Sequence, residues 1–240
     1  MTRDISPDLE KLRLYLTEPH PCSYLPDRQA TTAFVDPRVV IDAELYNRLS
    51  DLGFRRSGRY IYTPRCASCK ACIPIRIDAA AFAPNRLQRK CLNRNRDLTV
   101  ALVDSVDVEE HYPLYERYIT ARHSEGDMYP PSRAQYQDFI GRPWHSTTFM
   151  ELRARGRLLG CAVTDWLRNG LSAIYTYFDP EEERRSLGTF AILKQIETVL
   201  TRGKRYVYLG FWIRDSAKMN YKIRYRPAEL FVNDTWLRIG

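Results

Sequence analysis

Between residues 171 and 213 the sequence alternates with period two, then with a helical period, then with period two again. No other stretch limits the possible folds so far. Leu187 to Arg202 sets Phe190, Leu193, Ile196 and Leu200 on one stripe, Ile192 and Val199 widen it, and Gly203 stands at its end. Leu171 to Phe178 before it and Tyr206 to Ile213 after it read as strands. Strand, helix and strand over about 40 residues form a right-handed crossover between parallel strands. Phe149 to Arg153 and Leu158 to Trp166 add a hairpin around Arg155-Gly156, and Arg168-Asn-Gly170 turns the chain into the next strand. The C-terminal half is thus expected to be a mixed sheet with helices, within an α/β (α+β) protein.

Upstream, residues 40–53 read as a helix ending at Gly53, and Tyr60-Ile-Tyr62 opens a short strand. Ile73-Pro-Ile-Arg-Ile alternates like a strand, and Pro74 places it at an edge. Arg86, Arg89, Lys90, Arg94 and Arg96 interleave with Asn93 and Asn95, which fits either a solvated helix face or a phosphate-facing segment. Glu109 to His123 is the next helix, with Pro113 admissible in its first turn. A first domain over residues 1–100 and a second over 101–240 are expected.

A chain of 240 residues with 44% hydrophobic and 28% charged residues can bury a substantial core, which excludes a disordered chain. No apolar run approaches the roughly 20 residues that span a bilayer, and Met1 to Glu10 lacks an apolar signal core. The expected location is therefore the cytoplasm. The net charge of +8 suits a polyanionic partner such as nucleic acid.

Cys66, Cys69 and Cys72 follow one another at two-residue gaps, and Cys22 stands alone upstream. Thiols spaced in this way let a short turn aim sulfurs at one point, as zinc and iron–sulfur sites require. Reduced thiols beside a tight turn fit the same spacing. Both readings stay open, and zinc or an iron–sulfur group on Cys22, Cys66, Cys69 and Cys72 is the metal-binding possibility.

On the first crossover strand Tyr175, Tyr177 and Asp179 share a face; on the second, Tyr206, Tyr208, Gly210 and Trp212 do. Ligands of such sheets sit beyond the strand C-termini, where Asp179 and Trp212 fall. The following segment, Arg214 to Arg226, mixes Lys218, Lys222, Arg214, Arg224 and Arg226 with Tyr221 and Tyr225, which suits phosphates or a carboxylate. Arg184-Arg185-Ser-Leu-Gly188-Thr189 opens the crossover helix as an anion-attracting turn. It is similar to the pyrophosphate loop of acetyltransferases, except that Phe190 occupies the last small-residue position and is expected to crowd a pyrophosphate.

The chain as a whole resembles the aminoacyl-tRNA–protein transferases of the N-degron pathway, the bacterial leucyl branch more than the eukaryotic arginyl branch. The matching stretches include Pro21-Cys22-Ser-Tyr-Leu-Pro, Gly53-Phe-Arg-Arg-Ser-Gly58, Cys66 through Arg76, Arg117-Tyr118 through Arg122-His123, Leu171 through Tyr177, Arg185-Ser-Leu-Gly-Thr189, Tyr206 through Ile213 and Lys218-Met-Asn-Tyr-Lys222. Eukaryotic relatives look to carry an early Cys-x-x-Cys where this chain has Cys22-Ser-Tyr-Leu25. The resemblance implies a small N-terminal Cys-containing transferase domain and an acetyltransferase-like (GNAT-type) C-terminal domain. It also implies transfer of an amino acid from leucyl-tRNA, or arginyl-tRNA, to proteins beginning with Asp or Glu, which marks them for degradation.

An aminoacyl ester is already activated, so positioning, a proton acceptor and oxyanion stabilisation suffice, with no cofactor for the transfer itself. Asp179 is the candidate base, and Tyr175 or Tyr177 would orient the amine or the leaving oxygen. Arg76 is the first candidate for the acceptor's acidic side chain, with Lys218, Lys222, Tyr221 and Trp212 completing the substrate site. Arg86, Arg89, Lys90, Arg94, Arg96 and Arg185 would hold tRNA phosphates. The rival readings are an acetyl-CoA-dependent N-acetyltransferase and a non-catalytic zinc-ribbon nucleic-acid binder.

Overall fold

A computed structural model describes residues 12–141 and 144–240. The described residues open with β1 (Leu14–Leu16), then a ribbon of β2 (His20–Pro21) and β3 (Gln29–Ala30) whose turn carries Cys22. Next come β4 (Thr32–Val35), α1 (Ala43–Asp51), β5 (Arg55–Ser57) and β6 (Tyr60–Pro64). β7 (Ile73–Asp78), α2 (Arg86–Arg94), β8 (Leu98–Val103), α3 (Val108–Arg122) and a short α4 (Arg133–Tyr136) follow. The remainder is β9 (Thr147–Ala154), β10 (Arg157–Leu167), β11 (Gly170–Phe178), α5 (Leu187–Thr201), β12 (Tyr206–Trp212), β13 (Ala228–Val232) and β14 (Thr235–Ile239).

β1, β4, β6 and β5 form a small four-stranded sheet in the order β1-β4-β6-β5, while eight strands form the main sheet, β14-β13-β7-β12-β11-β10-β9-β8. β11 and β12 run parallel and every other neighbouring pair of the main sheet is antiparallel, so the sheet is mixed as expected.

Local chemistry explains most element ends. Asp42 caps α1 by accepting from the Leu45 N–H at 2.7 Å, and Gly53 takes φ 81° just past its end. Asn85 and Gln88 form a reciprocal capping box at the start of α2. Arg155 and Gly156 both have positive φ, the geometry of the tight β9–β10 hairpin. Pro113 lies inside α3 rather than in its first turn. It stands near enough to the helix start that only the bond to the Glu109 carbonyl is given up.

The main sheet is the middle layer. Against one face lie α5 and α2, with Ile75, Ile77, Leu171, Val207, Phe190 and Ile196 in the shared core. Leu200, expected on the buried stripe of α5, is 45% exposed instead. The other face is covered in two parts: α3 and α4 over Phe149, Val163 and Tyr177, and α1 with the small sheet over Leu167 and Tyr208. Burying each such aliphatic or aromatic side chain contributes about 1.5–3 kcal/mol, so both coverings are firmly held.

β7 is not an edge strand. It sits between β12 and β13, and Pro74 is tolerated because β13 pairs only with residues 75–77. On its other side the ladder with β12 breaks between Tyr208 and Phe211, beside Pro74. Since β7 and β8 both belong to the main sheet, a division near residue 100 passes through that sheet.

Candidate active site

The parallel pair at the sheet centre is short. β11 and β12 are in register only from Gly170–Tyr206 to Ser172–Tyr208, and beyond that they diverge into a fork. Gly210 is the local cause on one arm. It adopts φ 80°, which glycine takes at no steric cost, and it shifts the phase of β12. Phe211 therefore turns toward Tyr62 at a ring separation of 6.0 Å, and Trp212 joins the α5-side core. The expectation that Trp212 shares a face with Tyr206 and Tyr208 fails for this reason. A bulge in β11 likewise puts Ile174 beside Tyr175 against α3.

Diverging strands leave backbone carbonyls without ladder partners, and buried ones must find donors. At the fork the donors are cations. Arg55 donates to the Ser172 hydroxyl at 2.7 Å and to the Ala173 carbonyl on the β11 arm. Lys222 donates to the Phe211 carbonyl at 2.8 Å on the β12 arm. The guanidinium lies over Gly210, where an added Cβ would stand 3.2 Å from its Nε. Arg55 and Lys222 are 8% and 7% exposed, and neither has an ion-pair partner among the described residues. Asp165, whose charge also reaches Arg55, is saturated: it accepts from Arg56 at 2.6 and 2.8 Å, from Tyr46 at 2.7 Å and from Thr147 at 2.7 Å. Burial and the neighbouring Arg55 charge push the Lys222 ammonium down to about 7.

Around the fork stand the cysteine turn and the end of α3. Tyr62, paired in register with Arg55, is buried enough to push its phenol upward. Burial, with the neighbouring Cys22, Cys66 and Cys69, pushes the Cys72 thiol up to about 12. The expected thiols thus gather near one another. Even so, among the described residues no three His, Cys, Asp or Glu side chains are arranged to hold a metal ion. Ser23, next to Cys22, reaches Asp127 in the turn after α3 at 3.3 Å.

That turn begins with His123, whose Nε2 is 3.3 Å from the Tyr118 hydroxyl. Burial and the Lys218 and Arg122 charges push the imidazole below the ordinary histidine value, so it is neutral at pH 7. The Tyr118 ring packs on Phe178 at 4.8 Å and on Tyr175 at 6.4 Å, and the Tyr221 phenol is a neighbour. The Tyr175 hydroxyl has no hydrogen-bond partner among the described residues. Tyr175, Lys218, Tyr221 and Lys222 are therefore brought together, with Arg55, Tyr62, Tyr118 and His123 as neighbours that sequence reasoning gave no role.

The other expected residues are elsewhere. Tyr177 is fully buried under α3 and α4, hydrogen-bonded to His111 at 2.7 Å and to Tyr136 at 3.0 Å. Asp179 lies beyond the end of β11, roughly 20 Å from the fork at strand rise. Its carboxylate faces Arg117 and Arg157, each at 3.7 Å. Arg76 is clamped. Its guanidinium bonds Glu229 at 2.7 Å and Tyr208 at 3.1 Å, and it lies 3.8 Å from the Tyr206 ring centre and 4.2 Å from that of Trp236. Arg185 is also committed, to Asp97 at 2.8 and 2.9 Å and to Glu182 at 3.0 Å. Phe190 is 1% exposed in the α5 core, so it crowds nothing at the helix-opening turn.

On α2, Arg86, Arg89, Lys90 and Arg94 are exposed, as is Arg96 just past it; Arg89 and Arg94 spend one bond each on the Pro84 and Arg184 carbonyls. The strip is a cationic surface apart from the fork. An open apolar groove of about 410 Å³, lined by Tyr15, Phe34, Pro37 and Tyr60, lies on the small sheet and contains none of the expected site residues.

A mixed sheet with a forked parallel pair, flanked by cations and phenols, is an arrangement suited to acyl-group transfer. Residues 20–90 match the N-terminal, and residues 110–232 the C-terminal, family description of arginine-tRNA-protein transferase, and the chain belongs to that family. An aspartate/glutamate leucyltransferase of Saccharophagus degradans is 54% identical over 231 residues, covering 96% of this chain and 98% of the relative. One from Pseudomonas putida is 53% identical over 233 residues, covering 97% and 99%. Among solved structures, the C-terminal DUF2156 domain of an Agrobacterium fabrum protein overlaps with a TM-score of 0.48 at 16% identity, covering 78% of this chain and 62% of that one.

Proposed function

We propose that this chain transfers leucine from leucyl-tRNA to the α-amine of proteins that begin with Asp or Glu. The observation that carries this reading is the 54% identity, from end to end, with a relative named for that activity. The fork suits the chemistry. The amine nitrogen attacks the ester carbonyl of the aminoacyl-tRNA, a peptide bond forms, and the ribose oxygen of the terminal adenosine leaves with the proton that the amine gives up. An α-amine with a pKa near 8 needs only a modest proton acceptor.

His123 fits that role better than Asp179. It is neutral, half-buried and beside Tyr118, whereas Asp179 faces Arg117 and Arg157. Tyr175 and Tyr221 would orient the amine and the leaving oxygen, and Lys218 would steady the oxyanion. The α2 cations would take tRNA phosphates without reading sequence. Residues up to about 100 would thus supply the thiol turn and the cationic helix, and residues 101–240 most of the reacting cleft. The reaction needs no cofactor as written, and the cytoplasm is where its substrates would meet it. No helix among the described residues is long and apolar enough to cross a membrane.

An in vitro assay crossing leucyl-, arginyl- and phenylalanyl-tRNA with peptides beginning in Asp, Glu, Asn and Ala tests the proposal. Transfer confined to leucyl-tRNA and the acidic peptides is expected. Transfer from another aminoacyl-tRNA, or onto neutral peptides equally well, would refute it.

A further inference from the structure

We infer that Arg55 and Lys222 form the seat for the side-chain carboxylate of the acceptor's first residue. The inference rests on the transfer reading and gives its acidic specificity a location, one that Arg76 cannot supply because Glu229 already neutralises it.

Two buried basic side chains hold the two arms of the fork, Arg55 on β11 and Lys222 on β12, with no carboxylate of their own among the described residues. Backbone satisfaction alone does not explain them. The Ala173 and Phe211 carbonyls need donors, but an amide side chain would serve them without burying charge. An uncompensated charge away from water is strongly unfavourable, and two neighbours of the same sign are worse. The fold nonetheless reserves space for them: Gly210 is required where the guanidinium lies, and Ser172 fixes one of its ends. Arg55 has five N–H groups and Lys222 three, so donors remain beyond those the backbone uses.

A carboxylate fits this place better than a nucleic-acid phosphate. Both cations are less than a tenth exposed, with Tyr62 and Cys72 as neighbours, which suits the end of one side chain and not a sugar–phosphate strand. Exposed cations for phosphates are available on α2 instead. His123 and Lys218, where the acceptor's amine would meet the ester, lie close enough together for the Lys218 charge to bear on the imidazole.

The test compares two peptides that differ only in beginning with Asp or Asn, with wild type, Lys222→Gln and Arg55→Lys. Leucine transfer from leucyl-tRNA gives kcat/KM, and calorimetry without tRNA gives peptide affinity. Lys222→Gln is expected to lose about 10- to 100-fold on the Asp peptide in both measurements, the size of a charge-assisted hydrogen bond, with little change on the Asn peptide. Arg55→Lys, which keeps the charge but not the fork of donors, is expected to keep part of the preference and decides the matter should Lys222→Gln not fold. An unchanged Asp-to-Asn ratio, or equal losses on both peptides, overturns the seat. Loss that follows leucyl-tRNA affinity assigns the pair to phosphate and overturns it as well. Should wild type transfer no leucine to either peptide, the transfer reading fails, and the calorimetric ratio still decides whether an acidic side chain is held.

Discussion

Replacing Lys222 with methionine separates a lysine kept for a ligand from one kept for the fold. Methionine fills a similar volume without charge or donor. The ammonium, ordinarily near 10.5, is held at about 7 in the folded chain. Each unit is worth 1.36 kcal/mol, so burying the charged form costs about 4–5 kcal/mol at pH 7. Methionine removes that cost but leaves the Phe211 carbonyl without its donor, a loss of about 1–3 kcal/mol. The charge wins, and the variant should be more stable than wild type by about 2 kcal/mol at pH 7.

The sign changes with pH. Between pH 7 and 10.5 the unfolded chain holds a proton that the folded lysine has released, so wild-type stability rises through that window. Below pH 7 the penalty is complete, and above 10.5 it vanishes. The two proteins should therefore cross near pH 9, and at pH 10 the variant should be weaker by about 1 kcal/mol. Urea unfolding reads this directly. With a slope of about 3 kcal/mol per molar, the midpoint should rise by about 0.7 M at pH 7 and fall below wild type at pH 10. A variant that is less stable at both pH values would refute the reasoning and make Lys222 an ordinary structural donor.

Three further outcomes are expected. His123→Gln should lower kcat by about 10²–10⁴-fold and abolish the decline of wild-type activity as pH falls through the depressed histidine value below 6.5, measured as a pH–rate profile. Asp165→Asn leaves the Arg56 guanidinium buried without a counter-charge and should cost about 3–5 kcal/mol by urea unfolding, since four donors converge on that carboxylate from α1, β5 and β9. Alanine at Arg86, Lys90 or Arg96 should weaken tRNA binding alike for every aminoacyl-tRNA and reduce the salt slope by about 0.7–0.9 per lost phosphate contact, read by filter binding.

The regular elements of the C-terminal half were legible because their periodicity is long and both ends are marked. α5 and its flanking strands fall within a residue or two of the sequence reading. The faces were less legible. One glycine in β12 and one bulge in β11 shift the alternation, so Trp212 and Ile174 change sides, and a period-two reading has no defence against a single extra residue. The cationic residues of α2 could be read directly because an exposed charge needs no partner to be recognised. Arg55 could not. Its meaning comes from Ser172, 117 residues away, and from a fork that exists only once the strands pair. Arg76 misled for the same reason: its partner Glu229 lies 153 residues away. A glycine inside an otherwise apolar strand, Leu209-Gly-Phe211, was the available hint that something bulky approaches the backbone there.

The insertion of β7 between β12 and β13 binds residues 73–78 and residues 206–232 into one folding event. Among the described strands, the hairpin of β13 and β14 joins the hydrogen-bonded ladder of the sheet through that six-residue strand. Neither family segment should fold alone, and a hybrid joining the front of one relative to the back of another must match at this seam before any question of catalysis arises. A substitution in residues 73–78 is thereby felt on both sides at once, by residues 206–212 and by residues 228–230.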